Sequence, residues 1–267
     1  MTLGRALFLL AASVLAGAVN SVAGGGTLLS FPAAIAAGLP PIVANATNAV
    51  ELVPGSLGAI WAYRARLEGL GRLIALLSVP AVVGALIGAT ILRHTPQRLF
   101  DGVVPWLVLG ATVLILLQGV LQSRARAAAV VPPAIDTGRR RWLLAQIVVL
   151  QFLVSIYGGY FGAAMGIVML AFLAYLPALD QGGRLDVHQM NAVKNVLAVV
   201  INGAASISFV ANGLVDPRAA ALMAAGAIAG GIGGGRLARR AQAHHVRRIV
   251  VGVGFAMAAL LAWRRYG

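Results

Sequence analysis

Ten apolar runs, separated by clusters of Gly, Pro, Asn and Arg, dictate what this chain can fold into. They lie at about 3–23, 27–38, 43–63, 70–92 and 99–121, then 141–157, 163–176, 188–211, 215–235 and 246–263. Most approach the roughly 20 residues that a helix needs to cross a hydrocarbon core of about 30 Å. Soluble domains carry about 25% charged residues; this chain carries 10%, with 60% hydrophobic side chains and a mean hydropathy of +0.90. The reading is an all-α polytopic integral membrane protein, with the lipid bilayer as its solvent. Arg5 followed by LFLLAASVLAGA has the outline of a signal peptide. It runs on, however, into a glycine-rich stretch with a counterpart in the second half, so it is expected to stay as a membrane element.

The runs form two sets of five, and in each set the second run is only 12 to 14 residues, too short for a spanning helix. AGAVNSVAGGGTLL aligns with YGGYFGAAMGIVML, pairing Gly17 with Gly158 and Gly25 with Gly166. Asn45-Ala46-Thr47-Asn48 lies over Asn191-Ala192-Val193-Lys194, and GALIGATILRHTPQR resembles GGIGGGRLARRAQAHH. Such doubling is the mark of many secondary transporters. Five crossings per half is an odd number, so the second half enters from the opposite side. The expected architecture is therefore two inverted repeats, 1–121 and 141–267, joined by a linker at 122–140, each with a short broken helix after a Gly-rich loop. With the N-terminus outside, 14 arginines fall on the cytoplasmic side, the linker's among them, and 6 on the outer side, as the positive-inside bias requires. If the short runs instead dip in and out, the arginines of 236–248 are placed outside, a worse match.

The formal net charge of +14 does not mean nucleic-acid binding, because 20 of the 21 basic residues are arginines that flank the apolar runs. Zero cysteines exclude disulfides and thiolate chemistry, and the four histidines show no HExxH spacing. No metal or other cofactor is expected. Seven acids, mostly in loops, are too few for a membrane-embedded enzyme, and no GxxxxGK[ST] signature points to ATP.

Chemistry concentrates at two places. A loop of Gly24, Gly25 and Gly26 feeding a short helix at Thr27 would present backbone N–H groups and the positive end of a helix dipole to an anion; the same glycines also suit close helix packing. The third run of each half has a polar face: Asn45, Thr47, Asn48 and Glu51 in one, Asn191, Lys194, Asn195 and Asn202 in the other. Ionisable groups inside a span usually face a pathway. Lys194 can face a bound anion and Glu51 can carry a coupling proton, or the two can pair and merely fix the packing of the halves. The asparagines can equally serve as interhelical hydrogen bonds. Tyr160, beside the second glycine motif, joins the candidate ligands, as does Tyr157, although a tyrosine there can also be an interfacial anchor. Asp180 and Asp186 read as solvated loop residues. Prolines 32, 54, 80, 105 and 177 lie in or beside spans, where breaks are tolerated.

GAVNSVAGGGTLLSFP, then ANATN, then GALIGATILRHTP, each echoed in the second half, make the chain resemble the sulfite exporter TauE/SafE family of membrane transporters over nearly its whole length. The resemblance implies a permease of the bacterial inner membrane that moves sulfite, a sulfonate or a related organosulfur anion. The second copy departs from the pattern, with GGYFGAAMG in place of a fuller glycine cluster. A secondary transporter for a small anion, working by alternating access, is the leading expectation. A channel or an assembly subunit without a carrier cycle is the alternative.

Overall fold

The computed structural model describes residues 2–22, 25–128, 137–173, 187–237 and 243–266. Among them are ten α-helices and no strand: α1 (Leu3–Val22), α2 (Thr27–Ala36), α3 (Pro41–Tyr63), α4 (Gly71–His94), α5 (Gln97–Ala128), α6 (Thr137–Tyr160), α7 (Met165–Leu173), α8 (Val187–Ala211), α9 (Pro217–Leu237) and α10 (Ala243–Tyr266). Each helix falls on one of the ten apolar runs. Gly24, Asp180, Asp186, Arg184 and Pro177 lie outside the described residues, as does 129–136 of the expected linker. α5 continues to Ala128 and α6 begins at Thr137, so helix extends over 122–128 and 137–140 of the expected linker. Arginine and alanine are good helix formers, so the helices outrun the apolar stretches that defined them.

Six helices (α1, α4, α5, α6, α8 and α10) are long and apolar enough to cross a membrane. α3, at 23 residues, is as long, but Asn45, Asn48 and Glu51 dilute it. α2 and α7 have 10 and 9 residues, which at about 1.5 Å per residue is roughly half a hydrocarbon core. The distribution of side chains is inside-out relative to a soluble protein. Leu15, Val79, Leu116, Leu153 and Ile249 are exposed, whereas Ser13, Asn45, Asn48, Glu51 and Gln151 are buried. An apolar exterior of this extent belongs against lipid.

The principal helix contacts come in matched sets. α1 packs on α9 as α6 packs on α4; α3 meets α9 as α8 meets α4; α2 touches α10 as α7 touches α5; α3 faces α8, and α5 faces α10. Exchanging each helix for the one five places away leaves this set unchanged. The same correspondence holds at the level of atoms. A Cβ on Gly17 would overlap Ala227 O, and one on Gly159 would overlap Ala85 O; Gly226 abuts Leu10 O, Ser13 Cβ and Val14 N, while Gly84 abuts Phe152 O, Ser155 Cβ and Ile156 N. Gly230 lies on Val14 O as Gly88 lies on Ile156 O. All of these partners are 142 residues apart (17 and 159, 84 and 226, 14 and 156). The packing register thus pairs Gly17 with Gly159, one residue away from the sequence alignment. Adjacent Gly158 and Gly159 match equally well as letters, but only Gly159 faces a neighbouring backbone; Gly158 faces the side chains of Ile201 and Met165.

Candidate functional site

Each short helix is reached through a non-helical break. In the first half, Gly25 has φ +100°, a backbone state that favours glycine, and a Cβ there would press on the Ile115 side chain of α5. Gly26 lies on Ala16 O of α1. Gly25 is therefore favoured by its backbone conformation and Gly26 required by packing, whatever else they do. The break also uses its own donors: Leu28 N–H donates to Gly25 O at 3.0 Å, and Leu29 and Ser30 N–H donate to Gly26 O at 2.8 and 3.0 Å. Fewer N–H groups remain for an anion than the glycine run suggests. Thr27, the first residue of α2, is buried, and no side chain caps the helix.

In the second half the break is Phe161 to Ala164, with Gly162 at φ +74° and Ala164 at φ +61°, an uncommon conformation for a non-glycine residue. Tyr157 Oη donates to Ala163 O at 2.6 Å, and Gly162 N–H donates to Tyr157 O at 3.1 Å. Tyr157 is thus engaged in holding this turn. The two breaks meet: Phe31 of α2 stands edge-on to Phe161 with ring centroids 5.3 Å apart, and Asn45 Nδ2 donates to Tyr160 O at 2.8 Å. Tyr160 contributes its carbonyl to that contact, while its ring packs against Phe100 at 5.9 Å.

α3 carries the polar centre because Asn45, Asn48 and Glu51 recur at helical spacing and share a face. All three are buried. Ser30 Oγ donates to Asn48 Oδ1 and lies 3.3 Å from Gly26 O. The Glu51 carboxyl has the hydroxyls of Ser13 and Ser30 as polar neighbours, yet Glu51 Oε2 and Ser13 Oγ are buried without a hydrogen-bond partner. Thr47 points elsewhere, its hydroxyl accepting the Asp216 N–H at 3.2 Å, and Asp216 in turn caps α9 through Ala219 N–H at 2.9 Å. Thr47 is therefore engaged in anchoring the α8–α9 turn.

On α8, Lys194 lays its aliphatic stem along Gly166 at the start of α7, the nearest carbon being 3.4 Å from where a Cβ would stand. Lys194 is half-buried, and among the described residues its ammonium has neither an ion pair nor a hydrogen bond. The pairing of Glu51 with Lys194 is not formed. Asn195 is half-buried, Asn191 is half-buried and engaged with a neighbour, and Asn202 is buried with Nδ2 on Ala198 O at 2.9 Å. The structure thus groups Asn48 and Glu51 with Ser30 of α2, ties Asn45 to the Tyr160 carbonyl at the second break, places Lys194 beside the α7 break, and gives Thr47 and Tyr157 structural partners. Sequence reasoning passed over Ser13, Ser30, Gln151 and Ser155, because single polar residues in apolar runs look like ordinary helix content. The signal was present: Ser13 and Ser155 stand 142 residues apart on the first helix of each half. Gln151 Nε2 donates to Ser155 Oγ at 3.0 Å.

The family model for the sulfite exporter TauE/SafE matches residues 9–261. The chain belongs to the TauE/SafE family. Among its relatives is probable membrane transporter protein YfcA of Escherichia coli (strain K12), 27% identical over 257 residues, which cover 96% of this chain and 88% of that one. Another, from Haemophilus influenzae, bears the name probable membrane transporter protein and is 25% identical over 247 residues, 92% of this chain and 89% of its own. A third, probable membrane transporter protein ORF9 of Sinorhizobium sp, is 27% identical over 170 residues. No solved structure matches the chain. This TauE/SafE protein is accordingly a multi-pass membrane transporter, and its family and relatives are transporters rather than enzymes.

Proposed function

We propose that this protein is a secondary carrier of a small anion, of the sulfite, sulfonate or related organosulfur class, working by alternating access between two inverted halves in the bacterial inner membrane. The observation that carries the reading is Lys194, the chain's one lysine, which sits mid-helix in a spanning segment without a counter-anion among the described residues. An unpaired ammonium at membrane depth is costly and is usually functional, and an anion in transit would neutralise it. Asn191 and Asn195 flank Lys194 on α8, and α3, which packs on that helix, carries Asn45 and Asn48. Gly25, Gly26, Thr27 and Tyr160, at the two breaks, complete the assignment together with Gly24 of the same glycine run, with Glu51 as the coupling group. The family's description as a sulfite exporter supplies the substrate class.

Alternating access draws support from an asymmetry of burial. Along α3, Ile42 and residues 44 to 49 are all buried, whereas their counterparts 146 residues on, 188 to 195 of α8, include exposed His188 and half-buried Asn191, Lys194 and Asn195. At the opposite ends of the same helices, Phe209 is 1% exposed while Tyr63 is half-buried and merely stacks on His188, at 6.4 Å. One end of the α3–α8 contact is sealed and the other is looser. In this reading, exchanging the two arrangements between the halves generates the second state. With the N-terminus outside, the looser end is cytoplasmic, together with the 129–136 stretch. Calorimetric titration of sulfite into the purified protein tests the site. Saturable binding that is lost in Lys194→Ala with the fold retained supports it; undiminished binding in that variant removes Lys194 from the site.

A further inference from the structure

A cluster of oxygen atoms around Glu51 lacks anything to bind. Ser13 of α1, Ser30 of α2, and Asn48 and Glu51 of α3 are each at most 1% exposed. The acceptors outnumber the protons available to them. With Asn48 in its present amide orientation, the single Ser30 hydroxyl proton faces Asn48 Oδ1, Gly26 O and the Glu51 carboxyl. Gly26 O is already occupied by two backbone N–H groups. Ser13 and Glu51 approach each other, yet among the described residues neither Ser13 Oγ nor Glu51 Oε2 has a partner at hydrogen-bond geometry. Leaving such groups unsatisfied in a buried site is expensive. No Arg or Lys compensates the carboxylate, since among the described residues Glu51 has no ion pair and Lys194 stands apart on α8.

We propose that Ser13, Ser30, Asn48 and Glu51 form a sodium-ion site. The chemistry selects a small hard cation: four oxygen-bearing side chains, one of them a carboxyl, converge from three helices beside a helix break. Hard cations take oxygen ligands; membrane carriers hold coupling ions at unwound carbonyls and helix C-termini, so beside the N-terminal turn of α2 the Glu51 carboxylate would have to supply the charge that holds the ion. An ion between Ser13 Oγ and Glu51 Oε2 would satisfy both orphaned atoms, which their own geometry does not. Sodium binding itself does not depend on the anion-carrier reading; its role as the coupling ion does.

Melting of the detergent-purified full chain, at constant pH and ionic strength, in sodium, potassium or choline chloride tests the proposal. The wild type is expected to gain several degrees saturably with sodium alone, and Ser13→Ala and Glu51→Gln are expected to melt identically in all three salts. The proposal is overturned if the wild type melts alike in sodium and choline, if the sodium response survives in both variants, or if the wild type responds to pH and not to sodium, which would make this a proton site. Anion flux in reconstituted vesicles separates the two readings. Flux indifferent to sodium leaves the carrier standing and removes coupling, whereas sodium-specific stabilisation in a protein that moves no anion leaves the cation site standing and removes the carrier.

Discussion

Lys194 and Glu51 sit on different helices, and neither neutralises the other. Their roles therefore separate experimentally. A charge-assisted hydrogen bond contributes about 1.5–3 kcal/mol, so Lys194→Ala should weaken sulfite binding by roughly tenfold to a hundredfold. Arg218→Ala, at the exposed start of α9, should leave binding unchanged; equal losses in calorimetry would return Lys194 to a structural role. Thr47 and Tyr157 behave differently because their hydroxyls are engaged with Asp216 N–H and Ala163 O. Thr47→Val and Tyr157→Phe should each lower stability by about 1 kcal/mol without altering anion affinity, as thermal melting and titration would show together.

At the scale of helices, existence and order were legible from apolar runs bounded by Gly, Pro and Arg, and the half-length of α2 and α7 followed from run length alone. Register was not legible. Glycine strings align at several offsets, and only the backbone that Gly17, Gly84, Gly88, Gly159, Gly226 and Gly230 touch singles out 142. Nor could letters show that Ser13 and Ser30 approach Glu51, since that depends on how α1 and α2 close over α3. The register has a measurable consequence. Gly88→Ala and Gly230→Ala each push a methyl into a facing carbonyl and should cost about 1–3 kcal/mol as overpacking, with similar drops in melting temperature. Gly58, with nothing within 4 Å, should tolerate alanine or gain from its helix propensity.

Over the whole molecule, a polar centre on α3 and α8 is enclosed by helices whose outer faces are apolar. The two ends of the α3–α8 contact differ in burial, so a chain without cysteine offers a direct readout of state. His188→Cys should react with a membrane-impermeant maleimide applied from the cytoplasmic side, while Ile42→Cys, 8% exposed, should be protected from the same reagent applied from the outer side; an anion that drives the other state should reverse the pattern. Equal reactivity at both positions under all conditions would argue for a channel. Whether this TauE/SafE protein carries an anion past Lys194 is decided by flux into proteoliposomes of labelled sulfite, a sulfonate and a small carboxylate at fixed membrane potential. Saturable flux of a sulfur oxyanion is expected, stimulated by the same anion on the opposite side and lost in Lys194→Ala. Folded wild-type protein that moves none of these anions, or a Lys194→Ala variant that moves them at the wild-type rate, would contradict it.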